Sequence, residues 1–336
     1  MVIRTRGRMS WRQRIAGLAL SMALAQVAVA ADAPPPDAGS AFPVTVSNCG
    51  EPLRIERPPR RLVVHDLNMT EMALALGLRP ALVGVTGITG WYKQPGEALL
   101  RTLDGVPELA PRYPTMETLV AARPDLFFAG WYYGMQPGGD VTPATLALRG
   151  IQALVLTESC AQNRADKPRA TMDLLYGDVL RLGQVFGRTA QAQRLVDGWR
   201  ARVAAANRPA LERRPGVFVY DSGEDKPFTA GRAAMPTALI DAAGGRNVLD
   251  DLPMSWGTAA WEAVAQRNPR FVILLDYQNG QGPDHLERVL REHPAMRLTD
   301  AVREGRFIVL RYAELTPGPA NIGAIEKIAR ALRGAR

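Results

Sequence analysis

The sequence ETLVAARPDLFF at residues 117–128 is matched by EAVAQRNPRFVI at residues 262–273. Each copy begins with a glutamate that opens a short helical stretch. A proline seven positions later ends that stretch, because proline cannot continue a helix. Each proline leads into an apolar run that is typical of a buried strand. The chain therefore contains two similar halves, each built around the same helix–strand unit.

Apolar runs alternate with stretches of helical spacing in both halves. The predicted strands lie at residues 61–65, 81–85, 126–130, 153–156, 217–220, 271–275 and 307–310. The predicted helices lie at residues 70–78, 115–122, 142–148, 235–243, 258–267, 283–291 and 322–332. Such alternation predicts parallel strands that are covered by helices on both faces of a sheet.

The alternation stops between residues 169 and 211, where only helical patterns occur. A helix over residues 189–207 would be about 30 Å long, which is enough to connect two lobes. We therefore predict an α/β fold of two Rossmann-like lobes with mostly parallel sheets, joined by one long helix. The predicted boundaries are 42–168 for the N-terminal lobe, 169–213 for the linking helices and 214–336 for the C-terminal lobe. A cleft between two such lobes is a usual place for a ligand.

The start of the chain reads as an export signal. Five arginines precede an apolar run at residues 15–29, and Ala28-Val29-Ala30 forms a small-x-small cleavage site. We predict a signal peptide over residues 1–30, cleaved after Ala30, and a flexible segment over residues 31–41 that is rich in proline. An uncleaved N-terminal anchor is the alternative. No cysteine stands at the cleavage site, so the pattern shows no lipid anchor, and the expected location is the periplasm.

The net charge of +8 arises mainly in that leader. Because five arginines fall within the first 14 residues, the remaining chain carries only +3. Such a small excess gives no reason to expect a nucleic-acid partner. The apolar and charged fractions, 47% and 22%, are those of an ordinary globular protein.

The chain has two cysteines, Cys49 and Cys160. An even count in an oxidising compartment favours one disulfide. Two free thiols or a redox pair are the alternatives, although the sequence contains no Cys-x-x-Cys motif.

Four motifs carry a resemblance to a known family: PRRLVV at 59–64, TEMALALG at 70–77, PFTAG at 227–231 and LIDAAGGRNV at 239–248. Together with the repeated unit, their order resembles that of class III periplasmic substrate-binding proteins, which serve ABC importers for ferric siderophores, cobalamin and haem. The resemblance covers residues 42–333. It implies a monomeric binding protein without enzymatic activity or a cofactor of its own, which works with a permease/ATPase complex in the inner membrane. It also implies pairing of Cys49 with Cys160.

The resemblance assigns a role to the repeated acids. Members of this family dock on their permease through one glutamate on each lobe, and the matching positions here are Glu117 and Glu262. The alternative is that each carboxylate only favours the first turn of its helix, where negative charge is stabilising by about 0.3–1 kcal/mol. Glu71 competes with Glu117 as the docking residue of the N-terminal lobe.

Ligand contacts are expected on the loops that follow the strands. Aromatic residues and two arginines stand there, and large rigid rings suit a flat or macrocyclic ligand. The candidates are Trp91, Tyr92, Trp131, Tyr132, Tyr133, Tyr220, Trp256, Tyr277, Tyr312, Arg232 and Arg311. The arginines would suit an anionic ligand, since guanidinium groups bind carboxylates and phosphates. Trp261 is assigned to the core.

A metal site built by the protein itself is not expected. The three histidines, His65, His285 and His293, are scattered, so any metal should arrive inside a chelator. His65 follows a strand and is interpreted either as a local hydrogen-bonding residue or as a ligand to a chelated metal.

A binding protein for a ferric siderophore is therefore the leading hypothesis. Cobalamin or another corrinoid, haem, or another large anionic cofactor is the alternative ligand. An exported hydrolase is a weaker hypothesis, because neither Gly-x-Ser-x-Gly nor His-Glu-x-x-His occurs. A metal-insertion or redox protein of similar shape would need cysteine ligands that the chain lacks.

Overall fold

The structure is a computed structural model that describes residues 41–90, 93, 95–208, 210–277 and 282–334. The predicted signal peptide and almost all of the predicted flexible segment lie outside the described residues, as do Trp91 and Tyr92. Within the described part of the chain, no helix has both the length and the apolar character needed to cross a membrane.

The described residues form strands that alternate with helices along most of the chain. The strands are β1 Val44–Asn48, β2 Glu51–Ile55, β3 Leu62–His65, β4 Leu82–Thr86, β5 Glu108–Ala110, β6 Leu126–Trp131, β7 Gly134–Met135, β8 Gln152–Val155, β9 Gly216–Tyr220, β10 Phe228–Ala230, β11 Arg246–Asn247, β12 Trp256–Thr258, β13 Phe271–Asp276 and β14 Phe307–Arg311. The helices are α1 Leu67–Ala75, α2 Glu97–Thr102, α3 Met116–Ala122, α4 Pro143–Ala147, α5 Thr157–Cys160, α6 Asp173–Val185, α7 Thr189–Ala206, α8 Met235–Ala242, α9 Trp261–Gln266, α10 Pro283–Glu292, α11 Asp300–Arg303, α12 Tyr312–Leu315 and α13 Ala320–Gly334. Short 3-10 turns lie at Arg79–Ala81, Ala161–Asn163 and Met296–Leu298.

Two parallel sheets organise the two lobes. In the N-terminal lobe the strand order is β5-β4-β3-β6-β7, and β8 also pairs with β6. In the C-terminal lobe the order is β11-β9-β13-β14. Every pairing within these two sheets is parallel. The predicted α/β fold of two lobes with mostly parallel sheets is confirmed.

Two antiparallel ribbons add to this plan. β1 pairs with β2, and β10 pairs with β12. Neither ribbon is predictable from the sequence pattern, because their strands are short and only partly buried, and so lack an apolar run.

The strands of both sheets are apolar because both faces of each sheet are covered. Neighbouring residues of β6 show this directly, since Phe127 and Phe128 are both fully buried but belong to different clusters. Phe127 lies in the outer core of the N-terminal lobe. Phe128 lies in a larger core that also contains Val219 of β9 and Ile273 of β13. The inner faces of the two sheets therefore share one continuous core, while each outer face has its own.

The helices between the two sheets are packed into that shared core. Helix α7 has 18 residues and follows α6 after a break at Gly187, whose φ of 66° ends the first helix. Val196 of α7 is fully buried, and Arg202 forms a two-point ion pair with Glu326 of α13 at 2.9 and 3.0 Å. Because α7 is held along its length, we expect the lobes to close on a ligand by small angles.

The structure joins Cys49 and Cys160 in a disulfide with Cα atoms 5.3 Å apart. The bond connects the turn after β1 with α5. Asn48 adds two hydrogen bonds at the same place, donating to the Ala153 carbonyl at 3.0 Å and accepting from the Val155 amide at 2.8 Å. The β1–β2 ribbon is thus held against the end of β8 and against α5, the helix that carries Glu158.

Candidate ligand-binding site

A cavity of about 340 Å³ lies among residues that follow strands of both lobes. Its described lining residues are Tyr132, Tyr133, Gln162, Asp221, Phe228, Trp256, Leu275, Tyr277, Tyr312, Leu315 and Thr316. The carboxyl ends of parallel strands are where ligands bind in α/β sheets. The volume is at the low end of the range for ligand pockets, roughly 300–1,000 Å³.

Aromatic rings form most of the cavity wall. On the side of the C-terminal lobe, Tyr277 stacks on Tyr312 with ring centroids 6.0 Å apart, and Phe228 stacks on Trp256 at 6.1 Å. Tyr132 and Tyr133 belong to the N-terminal lobe. Rings from both lobes can therefore enclose a flat apolar surface, with little loss of side-chain entropy.

Five of the predicted ligand residues line this cavity together. They are Tyr132, Tyr133, Trp256, Tyr277 and Tyr312. Two others do not line it, Trp131 and Tyr220. Trp131 is partly buried against the outer core of the N-terminal lobe, and its backbone amide donates to the Ser159 hydroxyl at 3.0 Å.

Tyr220 is fully buried on the outer face of the C-terminal sheet. Its ring meets that of Trp261 at 5.2 Å, and its hydroxyl donates to the Gly223 carbonyl at 3.1 Å. Successive residues of a strand point to opposite faces. Asp221, which follows Tyr220 directly, therefore reaches the cavity instead. Trp261 lies in the core as predicted, with 3% of its surface exposed.

The two predicted arginines also lie outside the main cavity. Arg232 donates to the backbone carbonyls of Lys167 and Asp166 at 2.8 and 2.7 Å, so it connects the C-terminal lobe to the segment just before the linking helices. Arg311 lies beside Glu314 and lines a smaller cavity of about 40 Å³, which shares Tyr277 and Tyr312 with the larger one. Both guanidinium groups have acceptors outside the main cavity, and the anion contact expected of them stays a prediction.

A buried charge network joins the lobes next to the cavity. Asp66 follows β3 and is 1% exposed; one carboxylate oxygen accepts from the Leu67 amide at 2.6 Å. The other oxygen accepts from Lys93 Nζ at 2.7 Å and from the Tyr312 hydroxyl at 2.8 Å. Burial opposes ionisation of Asp66, but the Lys93 charge and these hydrogen bonds outweigh it and hold the pKa of Asp66 below its ordinary value. Tyr312, a wall of the cavity, is thereby positioned by a residue 246 positions earlier.

The lobes also meet closely beside Asp66. The Asn68 side chain is fully buried and donates to the Pro317 carbonyl at 2.7 Å. A Cβ atom at Gly318 would lie 3.0 Å from that of Asn68, so a glycine permits this approach.

His65 is packed as a neutral residue and does not line the cavity. Its Nδ1 lies 2.8 Å from the Thr86 hydroxyl, and Nε2 has no hydrogen-bond partner among the described residues. Burial lowers the pKa of His65 to about 4. Gly87 and Gly134 flank the ring, and a Cβ at either position would collide with it. The described residues contain no group of three or more His, Cys, Asp or Glu side chains arranged to hold a metal ion.

Glu158 forms a second connection between the lobes. It is 1% exposed and accepts from the Met235 amide of α8 at 2.6 Å and from the Tyr133 hydroxyl at 3.5 Å. Burial raises the pKa of Glu158 to about 7, against the hydrogen bond from Met235. Neither Glu158 nor Asp66 was singled out from the sequence; for Asp66, its position directly after a predicted strand was the available signal.

The raised pKa of Glu158 predicts a pH-dependent effect of Glu158→Gln. A carboxyl group that binds its proton more tightly in the folded state makes the folded protein less stable as the pH rises. Here the loss runs from the ordinary pKa of about 4.5 through the raised pKa of about 7. Relative to the native protein, the glutamine variant should gain roughly 2–3 kcal/mol in free energy of unfolding between pH 5 and pH 8. Urea unfolding of both proteins at the two pH values measures this. The exposed Glu51→Gln serves as control, and an equal difference at both pH values for Glu158→Gln would contradict the prediction.

Glu117 and Glu262 occupy equivalent, exposed positions. Each is the second residue of a short helix, α3 or α9, that precedes a central strand of its sheet. Hydrogen bonds from its own backbone amide and from Thr115 lower the pKa of Glu117. The competitor Glu71 is partly buried in the smaller cavity, where burial raises its pKa to about 7. The docking role of the exposed pair stays a prediction.

Comparison with known proteins gives consistent matches. The family described as "Periplasmic binding protein" matches residues 62–313 of this chain. The vitamin B12-binding protein of Pectobacterium carotovorum is 25% identical over 237 residues, which is 69% of this chain and 75% of that protein. The crystal structure of an ABC-type Fe3+-hydroxamate transport system from Saccharomonospora viridis is 25% identical, with a TM-score of 0.73 over 87% of this chain and 99% of that one. A periplasmic binding protein from Veillonella parvula has a TM-score of 0.76 and 23% identity, over 87% and 98% of the two chains.

Proposed function

The chain belongs to the periplasmic binding protein family, and we propose that it captures a ferric siderophore in the aromatic cavity and delivers it to the permease of an ABC importer. Members of this family are substrate-binding transport proteins rather than enzymes. The observation that carries the proposal is the convergence of aromatic rings from both lobes on one cavity.

The cavity suits capture of a compact chelate. Its stacked aromatic pairs offer apolar surface to the organic shell of a chelate, and roughly 25 cal/mol is gained per Å² of apolar surface removed from water. At about 340 Å³ the cavity encloses a small chelate better than a large macrocycle. The similarity to the Fe3+-hydroxamate transport structure supports the same ligand class.

Capture would take place in the periplasm, where the permease is reached. Export through the signal at residues 1–30 would bring the mature chain to the periplasm as a monomer. There the loaded protein would meet the permease/ATPase complex, with Glu117 and Glu262 as its contacts. The hydrogen bonds that join Asp66 and Asn68 to the C-terminal lobe would hold the two lobes in the same relative position during small closing movements.

A corrinoid is the second candidate ligand. The similarity to a vitamin B12-binding protein favours it, and so does the absence of lysine and arginine among the described lining residues, because the corrin periphery carries uncharged amides. Haem is less well suited, since its propionates would find no cation on that wall.

Titration of the purified protein tests the function. Ferrioxamine B, cyanocobalamin and haemin are added separately, and quenching of tryptophan fluorescence reports binding, because Trp256 lines the cavity. We expect ferrioxamine B to bind one-to-one and to be recovered chemically unchanged. Binding of cyanocobalamin alone would select the second candidate. Chemical conversion of a ligand, or no binding of any of the three, would contradict the proposed function.

A further inference from the structure

The charge of the cavity comes from a single side chain. Asp221 is 5% exposed and is the only charged residue among the described residues that line the cavity. It follows β9 directly, while Tyr277 follows the neighbouring strand β13. Because these two strands run parallel and end at the same edge of the sheet, the two side chains meet in the cavity wall.

Within the described part of the chain, two side chains donate hydrogen bonds to the Asp221 carboxylate, and both are neutral. One carboxylate oxygen accepts from the Tyr277 hydroxyl at 2.9 Å, and the other from the Ser222 hydroxyl at 2.7 Å. Burial raises the pKa of Asp221, against these two hydrogen bonds. A buried carboxylate without an opposite charge is costly, so it favours any partner that brings a positive charge or further N–H donors.

The two cations that line the adjoining smaller cavity, Lys93 and Arg311, are engaged elsewhere. Lys93 pairs with Asp66 at 2.7 Å, and Arg311 with Glu314 at 3.3 Å. The internal positions outside the described residues add no lysine or arginine to the sequence; they are 91, 92, 94, 209 and 278–281. Each oxygen of Asp221 has two lone pairs and one donor among the described residues, so both oxygens keep acceptor capacity that this part of the chain does not use.

Resting on the function proposed above, we propose that the ligand is a chelate without net negative charge that places an ammonium or amide N–H group on Asp221. The aromatic wall strengthens this selectivity, because the faces of aromatic rings attract cations. A carboxylate-bearing chelate would instead bring a like charge next to the buried Asp221.

Two kinds of chelate carry the required group. A ferric hydroxamate can end in an ammonium group, and a corrinoid carries amides around its ring. Binding measurements on a matched series of each kind distinguish a hydroxamate ligand from a corrinoid ligand. The first series is ferrioxamine B, with its free ammonium group, its N-acetyl derivative and its N-succinyl derivative, which ends in a carboxylate. The second pair is cobyrinic acid heptaamide and cobyrinic acid, whose peripheral groups are carboxylates.

We expect the protein to bind ferrioxamine B at least about tenfold more tightly than the N-succinyl form, with the N-acetyl form between them. Asp221→Asn should remove this ranking. Asp225→Asn is the matched control, because it deletes the same charge from an exposed position four residues later, and it should keep the ranking. In the corrinoid pair the heptaamide should bind more tightly, and binding confined to this pair would identify the corrinoid as the source.

Equal affinity for the ammonium and carboxylate forms would overturn the inference and leave the proposed function intact. The same conclusion would follow if Asp221→Asn weakened every probe by the same factor. If the folded native protein bound none of the five chelates, the proposed function itself would fail. Circular dichroism checks that the variants are folded, and if Asp221→Asn is not, the ranking by the native protein still decides.

Discussion

Replacing both Glu117 and Glu262 with alanine is expected to abolish ligand uptake by cells and to leave ligand affinity unchanged. Both carboxylates are exposed on equivalent short helices, one on each lobe, and neither lines the cavity. Truncating one partner of a charge pair buried at an interface costs about 2 kcal/mol or more. Two such losses lower the affinity for the permease by about a thousandfold, because each 1.4 kcal/mol is a factor of ten.

Uptake of radiolabelled ferric ferrioxamine B measures this in a strain that depends on the protein, and titration of the purified variant measures affinity. Each single variant should show a partial loss. The paired control is Glu51→Ala with Glu212→Ala, which removes two exposed carboxylates outside α3 and α9 and should leave uptake normal. Normal uptake by the Glu117/Glu262 variant would show that these residues do not dock.

Asp66→Asn is expected to lower the free energy of unfolding by about 3–5 kcal/mol. The substitution keeps the shape of the side chain but leaves Lys93 Nζ charged and buried without its partner, and breaking a buried pair from one side costs about that much. It also weakens the acceptor of the Tyr312 hydroxyl. Ligand affinity should therefore fall along with stability. Urea unfolding at pH 7 gives the first quantity and ligand titration the second.

A compensating substitution provides the internal control. Asp66→Asn combined with Lys93→Met removes both charges, and the double variant should regain most of the lost stability, because no buried charge is then left without its partner. The exposed Asp225→Asn should change stability by less than about 0.5 kcal/mol. A loss below about 1 kcal/mol for Asp66→Asn alone would mean that water or another group relieves the Lys93 charge.

The arrangement of the two lobes was predictable from local patterns. Strands β3, β6 and β13 are buried up to or including their last residue and are apolar over most of their length, and a run of that kind occurs where helices cover both faces of a parallel sheet. The equivalent positions of Glu117 and Glu262 were visible as a repeat. The ribbons β1–β2 and β10–β12 were missed because partly buried strands of three to five residues leave no such run.

The candidate site was predictable only in part. Loops that follow the strands supply much of the cavity wall, but not every candidate side chain on them lies there, and their contact with a ligand stays a prediction. A shift of one residue at the end of β9 decides whether Tyr220 or Asp221 faces the cavity, and strand ends are the least certain feature of a sequence pattern. Neither candidate arginine lines the larger cavity; Arg232 instead reaches backbone carbonyls that lie 65 and 66 positions earlier, a contact that no local pattern indicates.

The sequence by itself determined the alternation of strands and helices, the duplication and the candidate loops, because each of these depends on the spacing of neighbouring residues. Only the tertiary structure decided which distant groups meet, either across the lobes or between neighbouring strands of one sheet. Asp66 with Tyr312, Glu158 with Met235 and Asp221 with Tyr277 are separated by 246, 77 and 56 positions. Their contacts arise from how two sheets and the linking helices pack together. No local spacing encodes that packing.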